Sequence, residues 1–224
     1  MSDALIPPAD PGAGMRARRG EIVAAMERVL DHGRYILGDE VAAFEREFAD
    51  WLGVAGATGV ASGTDAILLA LRASGIGPGD EVITVSHTAV GTVSAIELAG
   101  AIPVLADIEL ESYTLATAAA AAAITSRTRA IMPVHIYGHP AALEPLLALA
   151  SKHGLLLIED CAQAHGAAWR GQRLGQYGAA AAFSFYPTKN LPALGDGGAV
   201  ASRDAAVLER ARGRCASTGG ANAT

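Results

Sequence analysis

The stretch Leu155-Leu-Leu-Ile-Glu159-Asp160-Cys161-Ala162-Gln163-Ala164-His165-Gly166 sets an unbroken aliphatic run against two adjacent carboxylates. A run of that length reads as a strand covered on both faces, the kind found in parallel sheets. Outward from it, 57–61, 81–85, 102–106, 130–134, 155–159 and 180–185 also read as strands. Segments 64–73, 88–99, 115–124 and 141–153 carry helical periodicity between them. Parallel neighbours need such crossovers, so the expected fold is α/β, a mostly parallel sheet covered by helices.

Before Gly56, segments 15–30 and 39–51 repeat apolar residues at helical spacing, with the turn Asp31-His32-Gly33-Arg34 between them. They predict two N-terminal helices. The alanine-rich run 117–123 reads as helix, because alanine is the best helix former. After a helix over 205–212, residues 213–224 show no apolar periodicity and are expected to be an irregular tail. The organisation is therefore an N-terminal helical segment 1–55, an α/β domain 56–212 and a tail 213–224.

Composition narrows the function. Of 224 residues, 51% are hydrophobic and 18% charged, enough to bury one sizeable core. The net charge of -6, with no basic stripe interleaved with aromatics, argues against nucleic acid as a partner. No apolar run approaches the roughly 18 residues that would span a membrane, and the N-terminus lacks a secretory pattern. The two cysteines, Cys161 and Cys215, lie too far apart for a local metal-binding or CxxC pattern, and no metal is expected. A reducing cytoplasm is the simplest setting.

Three features carry chemistry. The turn Ala61-Ser62-Gly63-Thr64-Asp65-Ala66 joins a strand to a helix, where free backbone N–H groups can hold a phosphate; Gly63 permits close approach and Thr64 adds a donor. An ordinary helix cap explains the same residues. Asp160 stands at a strand's carboxyl end, where α/β sheets bind ligands, and can keep a pyridine nitrogen protonated; a loop-capping acid or a Mg²⁺ ligand is the alternative. His165 reads as structural and Cys161 as a small core residue. Lys189 follows the apolar strand in Ser184-Phe-Tyr-Pro-Thr-Lys189-Asn190, ahead of Leu194-Gly-Asp-Gly-Gly-Ala199. A low-dielectric setting favours its neutral amine, the form that attacks an aldehyde, and Ser184 can offer a hydroxyl to a phosphate. On residue type alone a solvated loop lysine is the simpler reading. Phosphate turn, strand-end aspartate and post-strand lysine in this order are what a pyridoxal 5′-phosphate (PLP) site requires. Between Asp160 and Lys189 there is room for a hairpin around Trp169-Arg-Gly-Gln-Arg173 and one more strand.

At these residues the sequence resembles the DegT/DnrJ/EryC1/StrS family of PLP-dependent nucleotide-sugar aminotransferases. The resemblance runs from about Gly33 to Arg203 through Gly33-Arg-Tyr-Ile-Leu-Gly38 with Val41 and Phe44-Glu45, Ser62-Gly-Thr-Asp-Ala66, Glu159-Asp-Cys-Ala-Gln-Ala-His-Gly166 and Ser184-Phe-Tyr-Pro-Thr-Lys-Asn190. It implies the aspartate aminotransferase type (fold type I) large domain. Lys189 would carry PLP as an imine and shuttle a proton, Asp160 would pair with the ring nitrogen, and Gln163 would contact the phenolic edge. Gly63, Thr64 and Ser184 would bind the phosphate. Dehydratases of the family carry histidine in place of the lysine, so Lys189 points to the aminotransferase branch. Many members stack an aromatic residue on the ring from the segment matching 86–90; here Ala89 is small and His87 is the only ring.

The resemblance also implies a nucleotide-sugar substrate, an amino-acid donor, glutamate, and a homodimer when full length. Family members are longer, so a small C-terminal domain is expected to be missing. A truncated, non-catalytic PLP-binding or interaction module is the alternative. A nucleotide-binding oxidoreductase is disfavoured, since no GxGxxG follows the first strand.

Overall fold

The computed structural model describes residues 10–218. The strands are β1 (Gly56–Val60), β2 (Glu81–Val85), β3 (Ile102–Ala106), β4 (Thr128–Met132), β5 (Leu156–Asp160), β6 (Ala168–Trp169), β7 (Gln172–Arg173), β8 (Ala180–Ser184) and β9 (Gly198–Ser202). The helices are α1 (Gly12–Ala17), α2 (Arg19–His32), α3 (Asp39–Leu52), α4 (Gly63–Ala73), α5 (Val90–Leu98), α6 (Thr117–Ala122), α7 (Leu143–His153) and α8 (Ala205–Thr218). Seven strands form one sheet in the order β1-β9-β8-β5-β4-β2-β3, and β6 and β7 form the expected hairpin.

The pairs β2 with β3, β2 with β4, β4 with β5, and β5 with β8 are parallel. Strand β9 is antiparallel to both its neighbours, β1 and β8, so β1 runs in the common direction and β9 alone opposes it. Hence the carboxyl ends of β1, β8, β5 and β2 open on one edge of the sheet, and β9 begins there. β2, β8 and β9 are buried along their whole length, which is why β2 and β8 read as strands without alternation. β3 lies at an edge and carries Pro103, whose missing N–H costs least there.

Two cores flank the sheet. One contains Phe48, Leu52, Leu143, Leu146 and Phe183 under α3 and α7; the other contains Ile67, Leu71, Ile96, Ile158 and Val207 under α4, α5 and α8. Strand pleating sends successive residues of β5 to opposite cores, Leu157 to the first and Ile158 to the second.

Several boundaries differ from the sequence reading. Segment 15–30 is two helices, α1 and α2, parted at Arg18, whose backbone leaves helical geometry. Strand β4 stops at Met132 because Pro133 follows. Helix α5 starts at Val90, after Ala89 in an extended conformation. The segment expected to be an irregular tail from Gly213 continues α8 as far as Thr218, and residues 219–224 lie outside the described residues. The helix is carried outward by its packed first turns, where Val207, Leu208 and Ala211 are buried. Strand β9 begins inside the glycine-rich stretch 194–199; its small side chains show no period, and pairing on both sides makes it a strand.

Candidate active site

The common edge holds a cavity of about 270 Å³ between the starts of α4 and α5 and the ends of β5 and β8. Its walls include Gly63, Thr64, Asp160, Ser184 and Lys189, so five of the seven residues singled out in the sequence meet in one place. Gln163 and His87 are not among the lining residues. Gln163 lies half-buried two residues past Cys161, and His87 is exposed with its Nε2 3.0 Å from the Tyr137 hydroxyl.

Ser62 caps α4 reciprocally: its hydroxyl accepts the Asp65 N–H at 3.1 Å and donates to the Asp65 carboxylate at 2.7 Å. The first backbone bond of the helix runs from Ala66 N–H to Ser62 C=O at 3.0 Å. The Gly63 and Thr64 amides precede it and point out of the helix end, where an anion is favoured. The cradle is tight. A Cβ at Gly63 would sit 2.6 Å from Ser184 Cβ, and one at Gly91 would sit 2.8 Å from Thr64 Oγ1.

Asp160 is 3% exposed and accepts two neutral donors, the Thr92 hydroxyl at 2.8 Å and the Ala162 N–H at 3.1 Å. Burial pushes its pKa up, and those two bonds together with the Lys189 charge reverse only part of the rise. Lys189 sits in a turn closed by its own N–H to Tyr186 C=O at 2.8 Å. Burial lowers its pKa and the Asp160 charge opposes the change, which favours the neutral, nucleophilic amine. Burial, then the Lys189 charge, lowers His165 to about 4, so this ring, packed between Phe183 and Phe185, is neutral near pH 7.

Behind the site, Glu159 is fully buried on the other face. It accepts His135 Nε2–H at 3.2 Å and the N–H groups of Gly175, Tyr177 and Gly178 at 2.8 to 2.9 Å. Burial acts to raise its pKa, but these bonds outweigh burial and hold the carboxyl below its ordinary range. His135, Glu159 and Cys161 could offer ligand atoms within 4.8 Å of one another. The His135 Nδ1 lone pair, however, already accepts Ala141 N–H at 3.1 Å, and Nε2 carries the proton given to Glu159. Burial pushes the Cys161 thiol well up, with the Glu159 and Asp160 charges adding to it, so it is a poor nucleophile.

Sequence reasoning missed Thr92, Tyr186 and Asp196, all of which line the cavity. For Thr92 a signal existed: Thr88 and Thr92 are one helical turn apart just past the carboxyl end of a buried strand.

The residues present fit a phosphorylated pyridine aldehyde. Free helix amides and hydroxyls meet its phosphate, a buried carboxylate whose hydrogen-bond partners are both neutral suits a ring cation, and a half-buried amine faces the same space. Fold and cavity together define a mixed α/β domain that gathers these groups at one end of its sheet. Residues 17–222 match the DegT/DnrJ/EryC1/StrS aminotransferase family, and the chain belongs to it. It is 51% identical over 207 residues to dTDP-3-amino-3,4,6-trideoxy-alpha-D-glucose transaminase of Streptomyces venezuelae, covering 92% of this chain and 55% of that protein. The crystal structure of S. venezuelae DesV in complex with a ketimine intermediate superposes with a TM-score of 0.89 at 51% identity, over 92% of this chain and 56% of that one. NtdA of Bacillus subtilis, with the cofactor PMP bound, superposes with a TM-score of 0.83 at 28% identity, over 94% of this chain and 48% of that one. The chain thus spans about half the length of the relatives it matches. Among the described residues no helix is long and apolar enough to cross a membrane.

Proposed function

We propose that this chain is the cofactor-binding part of a cytoplasmic PLP-dependent enzyme that transfers an amino group from glutamate to a keto group of a nucleotide-linked deoxysugar. The observation that carries the reading is the shared cavity of Lys189 and Asp160 beside the Gly63–Thr64 helix end. When bound, PLP supplies an electron sink for the carbon losing or gaining a proton. The rest falls to the protein. Lys189 Nζ would hold the cofactor's aldehyde carbon through its neutral amine, with water leaving, and once displaced by the donor's amine would take and return the migrating proton, one group serving as nucleophile and as acid-base. Asp160 provides the negative charge that keeps a ring nitrogen protonated. The Gly63 and Thr64 amides, the Thr64 hydroxyl and the Ser184 hydroxyl take the phosphate. Gln163 is assigned to the phenolic edge and His87, the one ring in segment 86–90, to stacking on the cofactor; neither lines the cavity.

The substrate class comes from the S. venezuelae relative, named as a dTDP-sugar transaminase. A homodimer in the full-length protein is supported by an apolar groove lined by Tyr35, Ile36, Leu37, Phe44 and Leu191 beside the site, a surface of the kind that association covers. The test is incubation with PLP, reduction with borohydride and peptide mapping. A pyridoxyl label on Lys189 is expected. A label on another lysine, or none on the folded chain, overturns the assignment.

A further inference from the structure

Asp160 is buried on a sheet edge, yet it must stay ionised and correctly turned to do the work assigned to it. Across the cavity floor, Thr92 Oγ1 lies 2.8 Å from Asp160 Oδ2, and Thr88 Oγ1 lies 2.7 Å from Thr92 Oγ1. An ionised carboxylate has no proton to give, so the single hydroxyl hydrogen of Thr92 goes to Asp160. Thr92 then has only lone pairs left for Thr88, which must be the donor. The bonds therefore run one way, Thr88 to Thr92 to Asp160. Thr92 is 2% exposed, on a helix that packs Ala95 and Ile96 into the core.

We propose that Thr92, held as a donor by Thr88, is a positioning residue that fixes the Asp160 carboxylate in its ionised form and in the rotation that meets a ring cation. The inference rests on the functional reading above. A hydroxyl hydrogen bond to the charged form favours that form, and hydrogen bonds in series polarise one another. The second oxygen of Asp160 is held by the backbone N–H of Ala162, which no side-chain change removes, so Thr92 is the tunable half of the arrangement. The ionisable groups around Asp160 are Lys189 after β8, His135 after β4, and Glu159 and Cys161 on its own segment. Thr92 is none of these; it acts without titrating.

The probe is 4′-deoxypyridoxine 5′-phosphate, which has the ring and phosphate but no aldehyde, so its binding does not depend on Lys189 chemistry. Dissociation constants from pH 6 to 9 are measured for the parent, Thr92→Val, Thr92→Ser, Thr88→Val and Asp160→Asn, with inorganic phosphate as a second ligand. The ultraviolet band of the bound probe reports the pH at which its ring nitrogen loses a proton. Thr92→Val keeps shape and removes the donor. It should weaken probe binding about tenfold and lower that ring-nitrogen pH by about one unit, the same free energy seen twice. Thr92→Ser should restore both to within about twofold, and Thr88→Val should show a smaller loss in the same direction. Phosphate binding should stay at the parent value in Thr92→Val, while the empty chain melts at a lower temperature because buried Asp160 loses a donor. If Thr92→Val binds the probe as the parent does with the same ring-nitrogen pH, while Asp160→Asn is weakened, the inference about Thr92 falls and the site assignment stands. If phosphate binding is lost in parallel, or serine fails to restore the probe, Thr92 is a packing residue and the inference again falls. If the parent and Asp160→Asn bind the probe equally, the assignment of Asp160 falls and takes this inference with it.

Discussion

Glu159 and Asp160 are neighbours on β5 and both are buried, but the pleat turns them to opposite faces of the sheet. On one face Glu159 collects a histidine and three backbone donors, enough to hold its carboxyl below the ordinary range despite burial. On the other, Asp160 has two neutral donors and an open cavity, and burial leaves its pKa raised. A buried acid that is fully paired secures structure. A buried acid left short of partners costs stability until a ligand completes it, and functional sites keep such groups.

The sharpest way to break this contrast is Glu159→Ala. It strands His135 Nε2–H and the amides of Gly175, Tyr177 and Gly178 without an acceptor. A loss of about 3–5 kcal/mol is expected in urea unfolding; a loss under 1 kcal/mol would show that Glu159 is not the organising acid.

Next in size is Gly63→Ala, whose Cβ must move Ser184 or the start of α4. Overpacking there should cost about 1–3 kcal/mol and reduce inorganic phosphate binding, read by titration calorimetry. Unchanged phosphate binding would remove Gly63 from the cradle.

Asp160→Asn should go the other way, stabilising the empty chain by about 1 kcal/mol at pH 7 while weakening PLP binding. The sign follows from linkage. The folded pKa of Asp160 is raised, so its contribution is full below the unfolded value of about 3.9 and is lost as pH rises through the folded value. The gain in Asp160→Asn should therefore vanish below about pH 4. Glu159 has the opposite sign: its contribution is full above the unfolded value of about 4.3 and is lost as pH falls through its depressed folded value. Denaturation curves from pH 3 to 8 should show the parent losing stability in acid and Asp160→Asn losing more than the parent. Parallel curves would erase the distinction between the two acids.

The smallest effect belongs to Arg170→Ala on the hairpin. Arg170 pairs with Glu144 and stacks 4.4 Å over Trp169, but both charged side chains are more than half exposed. A change of about 0.5 kcal/mol or less is expected, with PLP binding unaffected.

Much of this was readable along the chain. The aliphatic run ending in Glu159-Asp160 announced a buried strand with a site at its carboxyl end, and the pleat of the strand in the structure separates the two acids. The Ser62-Gly63-Thr64 turn, Asp160, Ser184 and Lys189 stood out because each sits at a strand end or helix start, positions that short-range periodicity marks. Other features depend on residues far apart in sequence. Thr92 reaches Asp160 from α5, His135 reaches Glu159 from beyond β4, and both meetings follow from the order β5-β4-β2 in the sheet. Strand β9, with its glycine and alanines, has no local pattern and exists because β1 and β8 offer hydrogen bonds on either side. Periodicity reflects what a residue does to its own segment, so the sequence by itself determined the elements and the chemistry at their ends. Which donors reach a buried carboxylate depends on register and packing across the sheet, so only the tertiary structure decided which of two adjacent acids is satisfied and which is left to a ligand.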